Sequence, residues 1–425
     1  MSRPCKKFHA NPLNHYRKNS GDYCHICWRF CTSPEFQKLW ATEDDPAPVI
    51  PLPAVPPRLR TTRISPEKLI RGQSNAAFNG GMIRYKNRLL LAYRTSWADA
   101  LCHIAEIADD GNYTPTNNVT LHALRGHPKA TFGREDPRLF IFRNRLHISF
   151  TSLADGGGPT HILYARLSDD LQVEEIFDPE FIFTNGAWEK NWALFEWQGE
   201  LMAVYKPGRD VHRVIHIRET ASYPFAEVPW TLPWSGGDHM AGGAPPVLVG
   251  DKFYHWFHGR FGGWDNGIYT QGVYTFEARP PFRPIACTPD PILQGDPAWK
   301  LPHQRGTEPA VVFPAGAFVE NGRWIVSRGT QDMWVDVDEW SQAEVDAYLD
   351  WQIFVTPTPV QDVVQVAEPL PTVRGNCLHL GKRTEFREGC SGWGCRHDCE
   401  AGEPAAVPGG NCQACPKWEA EGAEW

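Results

Sequence analysis

The chain has 425 residues, enough to bury a large core and to carry one big domain with small appendages. Its formal net charge of −8 excludes a global attraction to nucleic acid or to an anionic membrane, so any anion must be held by a local cluster. No apolar run approaches the length of a membrane span, and the opening MSRPCKKFH lacks the apolar stretch of a secretion signal. The sequence therefore reads as that of a soluble cytoplasmic protein.

The head, residues 1–45, is rich in cysteine and histidine. Cys24 and Cys27 form a CxxC knuckle, with Cys5 and Cys31 as completing ligands and His9 and His15 as further choices. Two thiolates at this spacing can bite one Zn²⁺, and the ion would order a segment too short to build its own core. Residues 46–67 follow as a proline-rich linker or packed arm, typified by DPAPVIPLPAVPP from Asp45 to Pro57.

From residue 68 to 360 the texture is all-β. One pattern recurs: a polar turn, then a β-forming run that ends in polar or charged residues. The runs begin at Leu89, Leu146, Leu201, Phe253 and Trp324, at intervals of 57, 55, 52 and 71 residues. A hairpin repeat of that length matches one propeller blade with its loops, and five copies predict a five-bladed β-propeller. A β-sandwich is the alternative. The run ends carry Arg94, Ser152, Lys206, His258 with Arg260, and Arg328. In a propeller such positions converge on one axis, so an acidic protein can still assemble an anion site. Ser341 and Glu344 mark the start of the best helical candidate, Ser341 to Trp351.

The densest polar segment is Gly133-Arg134-Glu135-Asp136-Pro137-Arg138, directly before an apolar strand. Pro137 biases Asp136 toward an extended backbone and so aims its carboxyl reproducibly. A proton donor to a leaving oxygen needs such aim, together with a raised pKa; Arg134 and Arg138 oppose that rise unless occupied elsewhere. A salt-bridged turn is the plainer reading of this segment. Downstream, Trp188-Glu189-Lys190-Asn191-Trp192 places a cation and an amide between two indoles that can stack on a sugar. Beyond residue 360 the tail, 361–425, holds Cys377, Cys390, Cys395, Cys399, Cys412 and Cys415, with a second knuckle at the last two. Cys377, Cys395, Cys399, Cys412 and Cys415 are its candidate zinc ligands. An iron–sulfur cluster and a disulfide-stapled tail are the alternatives.

In this order, Phe78-Asn79 with Tyr93-Arg94, the Glu135-Asp136-Pro137-Arg138 box, Lys190-Asn191-Trp192, Pro245-Pro246 before His258-Gly259, Pro291-Ile292-Leu293 and Val311 to Gly316 resemble glycoside hydrolase family 130, the mannoside phosphorylases and related β-mannosidases. The resemblance spans about residues 70 to 335. It implies a five-bladed propeller with Asp136 as general acid, and Glu135 beside it in the catalytic box. It implies inorganic phosphate as cosubstrate, held by Arg94, Arg138, Lys190 and His258. Asn79, Asn191, Trp192, Trp264 and Asp332 are the expected contacts to an oligosaccharide or glycan. Phosphate is itself a nucleophile, so an inverting phosphorylase needs one acid and an anion cradle, whereas an inverting hydrolase needs an acid and a base. Glu135, Asp238, Glu308 and Asp332 are the candidates for such a base. Two departures, Gly259 to Trp264 and Gly329 to Asp332, fall where substrate is expected. A β-glycoside hydrolase and a non-catalytic propeller that binds a glycan or a protein stand as the other readings.

Overall fold

Each of the five polar turns forms the tight connection between the two innermost strands of an antiparallel sheet. Arg143 and Asn144, Gln198 and Gly199, and Asn321 and Gly322 all adopt positive φ, the two-residue hairpin geometry whose twist matches that of the flanking strands. The computed structural model describes residues 17–19, 22–24, 54–69, 77–95, 101–153, 159–181, 189–207, 211–230, 234, 237–262, 267–301, 304 and 308–350.

The sheets are five propeller blades. The first contains Ala77–Tyr85, Arg88–Thr95, Leu101–Ile107 and Pro115–Thr120, paired in sequence order. The second repeats this with Gly133–Phe142, Arg145–Leu153, His161–Leu167 and Val173–Phe177. The third runs from Ala193–Trp197 through Glu200–Lys206 and Val211–Ile217 to Ala221–Pro229, with Glu180–Phe181 added in parallel at its edge. In the fourth, the inner strand is split into Gly237–Gly242 and Val247–Val249, both paired with Lys252–Phe261. Ile268–Glu277 follows, with Pro284–Cys287 and Leu293–Gln294 outside it. The fifth consists of Val312–Glu320, Arg323–Thr330, Trp334–Ser341 and, from the other end of the chain, Arg58–Ile64.

That last strand corrects the linker reading of residues 46–67. Arg58–Ile64 pairs with Trp334–Ser341 and supplies the outer strand of the fifth blade. Arg63 also clasps Asp336 with Nε and Nη2 at 2.8 and 2.9 Å. Local composition hides this strand because its pairing partner lies more than 270 residues away.

Apolar packing follows the ring. One buried cluster lies between each pair of successive blades: Leu90 and Phe150 between the first two, Phe140 and Leu194 next, Phe195 and Phe276 next, Trp256 and Trp324 next. Leu91 and Val337 close the circle between the fifth blade and the first. The expected helix is present as Gln342–Asp350, capped by the Ser341 hydroxyl, which accepts from the Glu344 N–H. It covers the fourth cluster with Val345 and Leu349. Cys5, Cys27, Cys31, Cys377, Cys395, Cys399, Cys412 and Cys415 lie outside the described residues, and of Cys24 only the backbone is described, in the short strand Asp22–Cys24. Among the described residues no cluster of three or more His, Cys, Asp or Glu is arranged to hold a metal ion. No described helix is long and apolar enough to cross a membrane.

Candidate active site

The inner strands break register at corresponding points around the axis. The first blade slips between Phe78 and Gly81, the second between Glu135 and Arg138, and the fifth between Pro314 and Gly316. At the first two bulges Asn79 and Asp136 both take φ 53°, and Asn191 enters the third blade at φ 62°. Asn and Asp tolerate this left-handed conformation because their short polar side chains bond locally. The extended backbone expected of Asp136 from Pro137 is therefore wrong: the bulge, a sheet-level feature, overrides the proline's local preference. Its effect is to bring two side chains from different blades together, with Asn79 Nδ2 donating to Asp136 Oδ1 at 2.7 Å. Gly81 allows the approach, since a Cβ there would lie 2.8 Å from Ala315 O and 3.1 Å from Pro137 O.

Charged groups gather on this pair. Arg94 Nη1 is 3.3 Å from Asp136 Oδ1 and 3.4 Å from Glu135 Oε1, and Lys190 Nζ bonds Glu135 Oε2 at 2.9 Å. Arg94 is buried, whereas the Lys190 side chain is 41% exposed, so the lysine lies nearer solvent than the arginine. Burial pushes the Asp136 carboxyl up, but Arg94, Lys190, Arg138 and the Asn79 amide outweigh it and hold the value below the usual aspartate range. Burial likewise opposes the charges of Arg94 and Lys190, and the neighbouring carboxylates outweigh it, so both are raised.

Asp332 behaves oppositely. It sits in the left-handed region at φ 50° next to Gln331 at 56°. Burial, with the Asp136 charge added, pushes its carboxyl up to about 7, although Arg94 and a hydrogen bond from Asn79 pull the other way. Two carboxyls in contact with one amide thus carry different proton inventories, an arrangement suited to acid–base work. The loop that presents Asp332 is pinned through Gln331, whose Oε1 accepts from Val311 N at 3.1 Å and whose Nε2 donates to Pro309 O at 2.9 Å.

Arg138 and His258 meet on one ring. The Arg138 guanidinium is 5.1 Å from the Phe313 ring centre, and the His258 ring is 4.8 Å from it while stacking on Tyr269 at 5.7 Å. Arg138 spends its terminal nitrogens on Asn191 Oδ1 at 2.8 Å, Trp192 O at 3.3 Å and Gly242 O at 3.5 Å. Burial lowers it to about 10. The structure thus brings together Asn79, Arg94, Glu135, Asp136, Arg138, Lys190, Asn191, His258 and Asp332.

Other expectations do not hold. Trp192 is 1% exposed, donates to Glu189 Oε2 at 2.8 Å and packs edge-on against Tyr205, so it is core and not a sugar platform. Arg328 is committed to Asp338, 2.6 Å away, and to Asp336, and belongs to the fifth blade's interior. Arg134 is fully buried and donates to the backbone carbonyls of Ala130, Thr131 and Phe132. Trp264 and Trp188 lie outside the described residues, as do the side chains of Lys206 and Asp238. Sequence reading missed Phe313 and Tyr269, which are unremarkable β-strand aromatics until the fold sets them beside His258. The only advance signal was that Phe313 lies in one of the ordered motifs.

A family model described as β-1,4-mannooligosaccharide phosphorylase, glycoside hydrolase family 130, matches residues 53–351. The chain belongs to glycoside hydrolase family 130. Members of family 130 are glycoside phosphorylases or hydrolases, so the protein is a carbohydrate-active enzyme. The β-1,2-mannobiose phosphorylase of Listeria innocua, solved with β-1,2-mannobiose, is similar at 15% identity and a TM-score of 0.52, over 69% of this chain and 100% of that one. A glycosyl hydrolase from Bacteroides ovatus aligns at 14% identity and a TM-score of 0.50, over 68% and 91%. A structure from work on family 130 hydrolases that target β-1,2-mannosidic linkages in Candida mannan aligns at 14% and 0.50, over 70% and 93%. At these identities the structures speak to the fold. No curated protein matches the sequence.

Proposed function

We propose that this family 130 enzyme cleaves a β-mannoside by inverting phosphorolysis. The observation that carries the reading is the pairing of one aimed carboxyl, Asp136, with Arg94 3.3 Å away and Lys190 on the adjacent Glu135. One acid plus a cationic cradle is what phosphate as nucleophile requires. Arg94 and Lys190 are the direct phosphate ligands in this account. Arg138 adds charge and holds Asn191, and His258 closes the cradle beside it.

The cations hold Asp136 ionised while they face it alone. Phosphate entering as the monoanion pairs with them, removes that bias and passes a proton to Asp136. The bond from the anomeric carbon to the leaving oxygen then breaks with its electron pair on oxygen, which takes the proton from Asp136. A phosphate oxygen bonds to the anomeric carbon from the opposite face. The phosphate monoester leaves as the monoanion, and Asp136, ionised again, faces the cations as at the start. Asn79 orients Asp136 throughout, and in this account Asp332, neutral below about pH 7, donates to a sugar hydroxyl.

The test is a donor screen of β-mannosides with and without phosphate, followed by ³¹P NMR. Phosphate-dependent release of a sugar 1-phosphate is expected. Equal turnover without phosphate would refute phosphorolysis and leave hydrolysis, for which Glu135 and Asp332 are the candidate bases at the site. No turnover of any donor, with glycan binding intact, would leave the binding propeller.

A further inference from the structure

The fourth blade contains a buried polar chain that the catalytic account does not use. The Gly243 N–H donates to His255 Nε2 at 3.3 Å, His255 Nδ1 lies 3.0 Å from the Tyr274 hydroxyl, and that hydroxyl lies 2.9 Å from His212 Nε2. His212, His255 and Tyr274 have no exposed surface. Both imidazoles are neutral: burial pushes His212 down to about 3, and burial with His212, Arg138 and His258 nearby pushes His255 well below its ordinary value.

Neutrality and connectivity together fix every proton. Gly243 can only donate, so His255 Nε2 carries the lone pair and its single proton sits on Nδ1. That proton goes to the Tyr274 oxygen, and the tyrosine's own proton must go to His212 Nε2. The chain runs one way. It starts at the peptide joining Gly242 to Gly243 and ends on His212, and the other side of that same peptide is the Gly242 carbonyl, which accepts from Arg138 Nη2 at 3.5 Å. The peptide has little freedom to shift, because a Cβ on Gly243 would clash with the Trp256 carbonyl and one on Gly242 with the Asn191 carbonyl. A hydrogen bond at its N–H also polarises its C=O toward Arg138.

We propose that His212, Tyr274 and His255 are positioning residues, a one-directional hydrogen-bond chain that sets the Gly242–Gly243 peptide and through it the Arg138 guanidinium at the active site. The inference rests on the reading of the Asp136 site as catalytic, and holds for phosphate or for water as the nucleophile. Tyr274→Phe keeps the ring and breaks the chain; it is expected to lower kcat/KM about tenfold while leaving thermal unfolding within a few degrees. In an Arg138→Lys background the same change is expected to cost less than twofold, because its target is gone. Additive losses in that double-mutant cycle would overturn the link to Arg138. Independently of turnover, ¹⁵N spectra of histidine-labelled protein should show His255 and His212 as neutral Nδ1–H tautomers down to pH 5. A Nε2–H tautomer or a protonated ring at His255 would overturn the chain itself. The wild-type assay without phosphate reports separately on phosphorolysis.

Discussion

Replacing Asp332 with Asn is expected to stabilise the protein at high pH and to do little at low pH. The folded state holds the Asp332 proton more tightly than the unfolded chain, since burial and Asp136 push the carboxyl up to about 7. Stability from this group is therefore complete below the ordinary aspartate value of about 3.9 and is lost as pH rises through about 7. Three decades of pH at about 1.4 kcal/mol each set an upper bound of ~4 kcal/mol, and water reaching the partly shielded group reduces the expected figure to ~2 kcal/mol. Asparagine keeps the oxygen that accepts from Asn79 and never ionises. In a domain of this size ~2 kcal/mol corresponds to about 4 °C. Thermal melts of both proteins at pH 5 and pH 8 read the difference directly. A gain of several degrees at pH 8 that shrinks at pH 5 is expected. Equal shifts at both pH values, or a loss at pH 8, would show that Asp332 is not held protonated by its surroundings.

Asp136→Asn should cut turnover by about a thousandfold or more, measured with the best donor from the screen on protein that a melt shows to be folded at the assay temperature. If more than a tenth of the activity survived, Asp136 would not be the acid. Lys190→Met should raise the KM for phosphate at least ~10-fold with little change in the KM for the sugar donor; an equal rise in both would place Lys190 on the sugar instead. Removing residues 1–64 should lower the melting temperature by ~10 °C or more relative to removing residues 1–53, because the Arg58–Ile64 strand closes the fifth blade. A matching pair of melts would mean that the strand adds nothing to closure. Gly316→Ala should destabilise by ~3 kcal/mol, since its Cβ would run into the Met82 backbone, and denaturant melts would show it.

The sequence by itself carried whatever depends on short-range backbone chemistry. Turn residues such as Asn144, Gly199 and Gly322 adopt positive φ at little cost, and the hydrophobic run after each turn has nowhere to go but into a sheet. The blade count, the helix cap at Ser341 and the identity of the charged box were therefore readable from neighbours in the chain. Tertiary structure alone decided which of those charges matter. Arg94 and Arg328 look alike at strand ends, yet Arg328 is neutralised by Asp336 and Asp338 within its own blade while Arg94 faces Asp136 from the next. The bulges that turn Asn79 and Asp136 into one pair, the strand Arg58–Ile64 that closes the ring, and the raised Asp332 carboxyl all arise from contacts between distant segments. A carboxyl's proton affinity depends on the charges and the water within a few ångströms of it, and chain order does not specify which residues those will be.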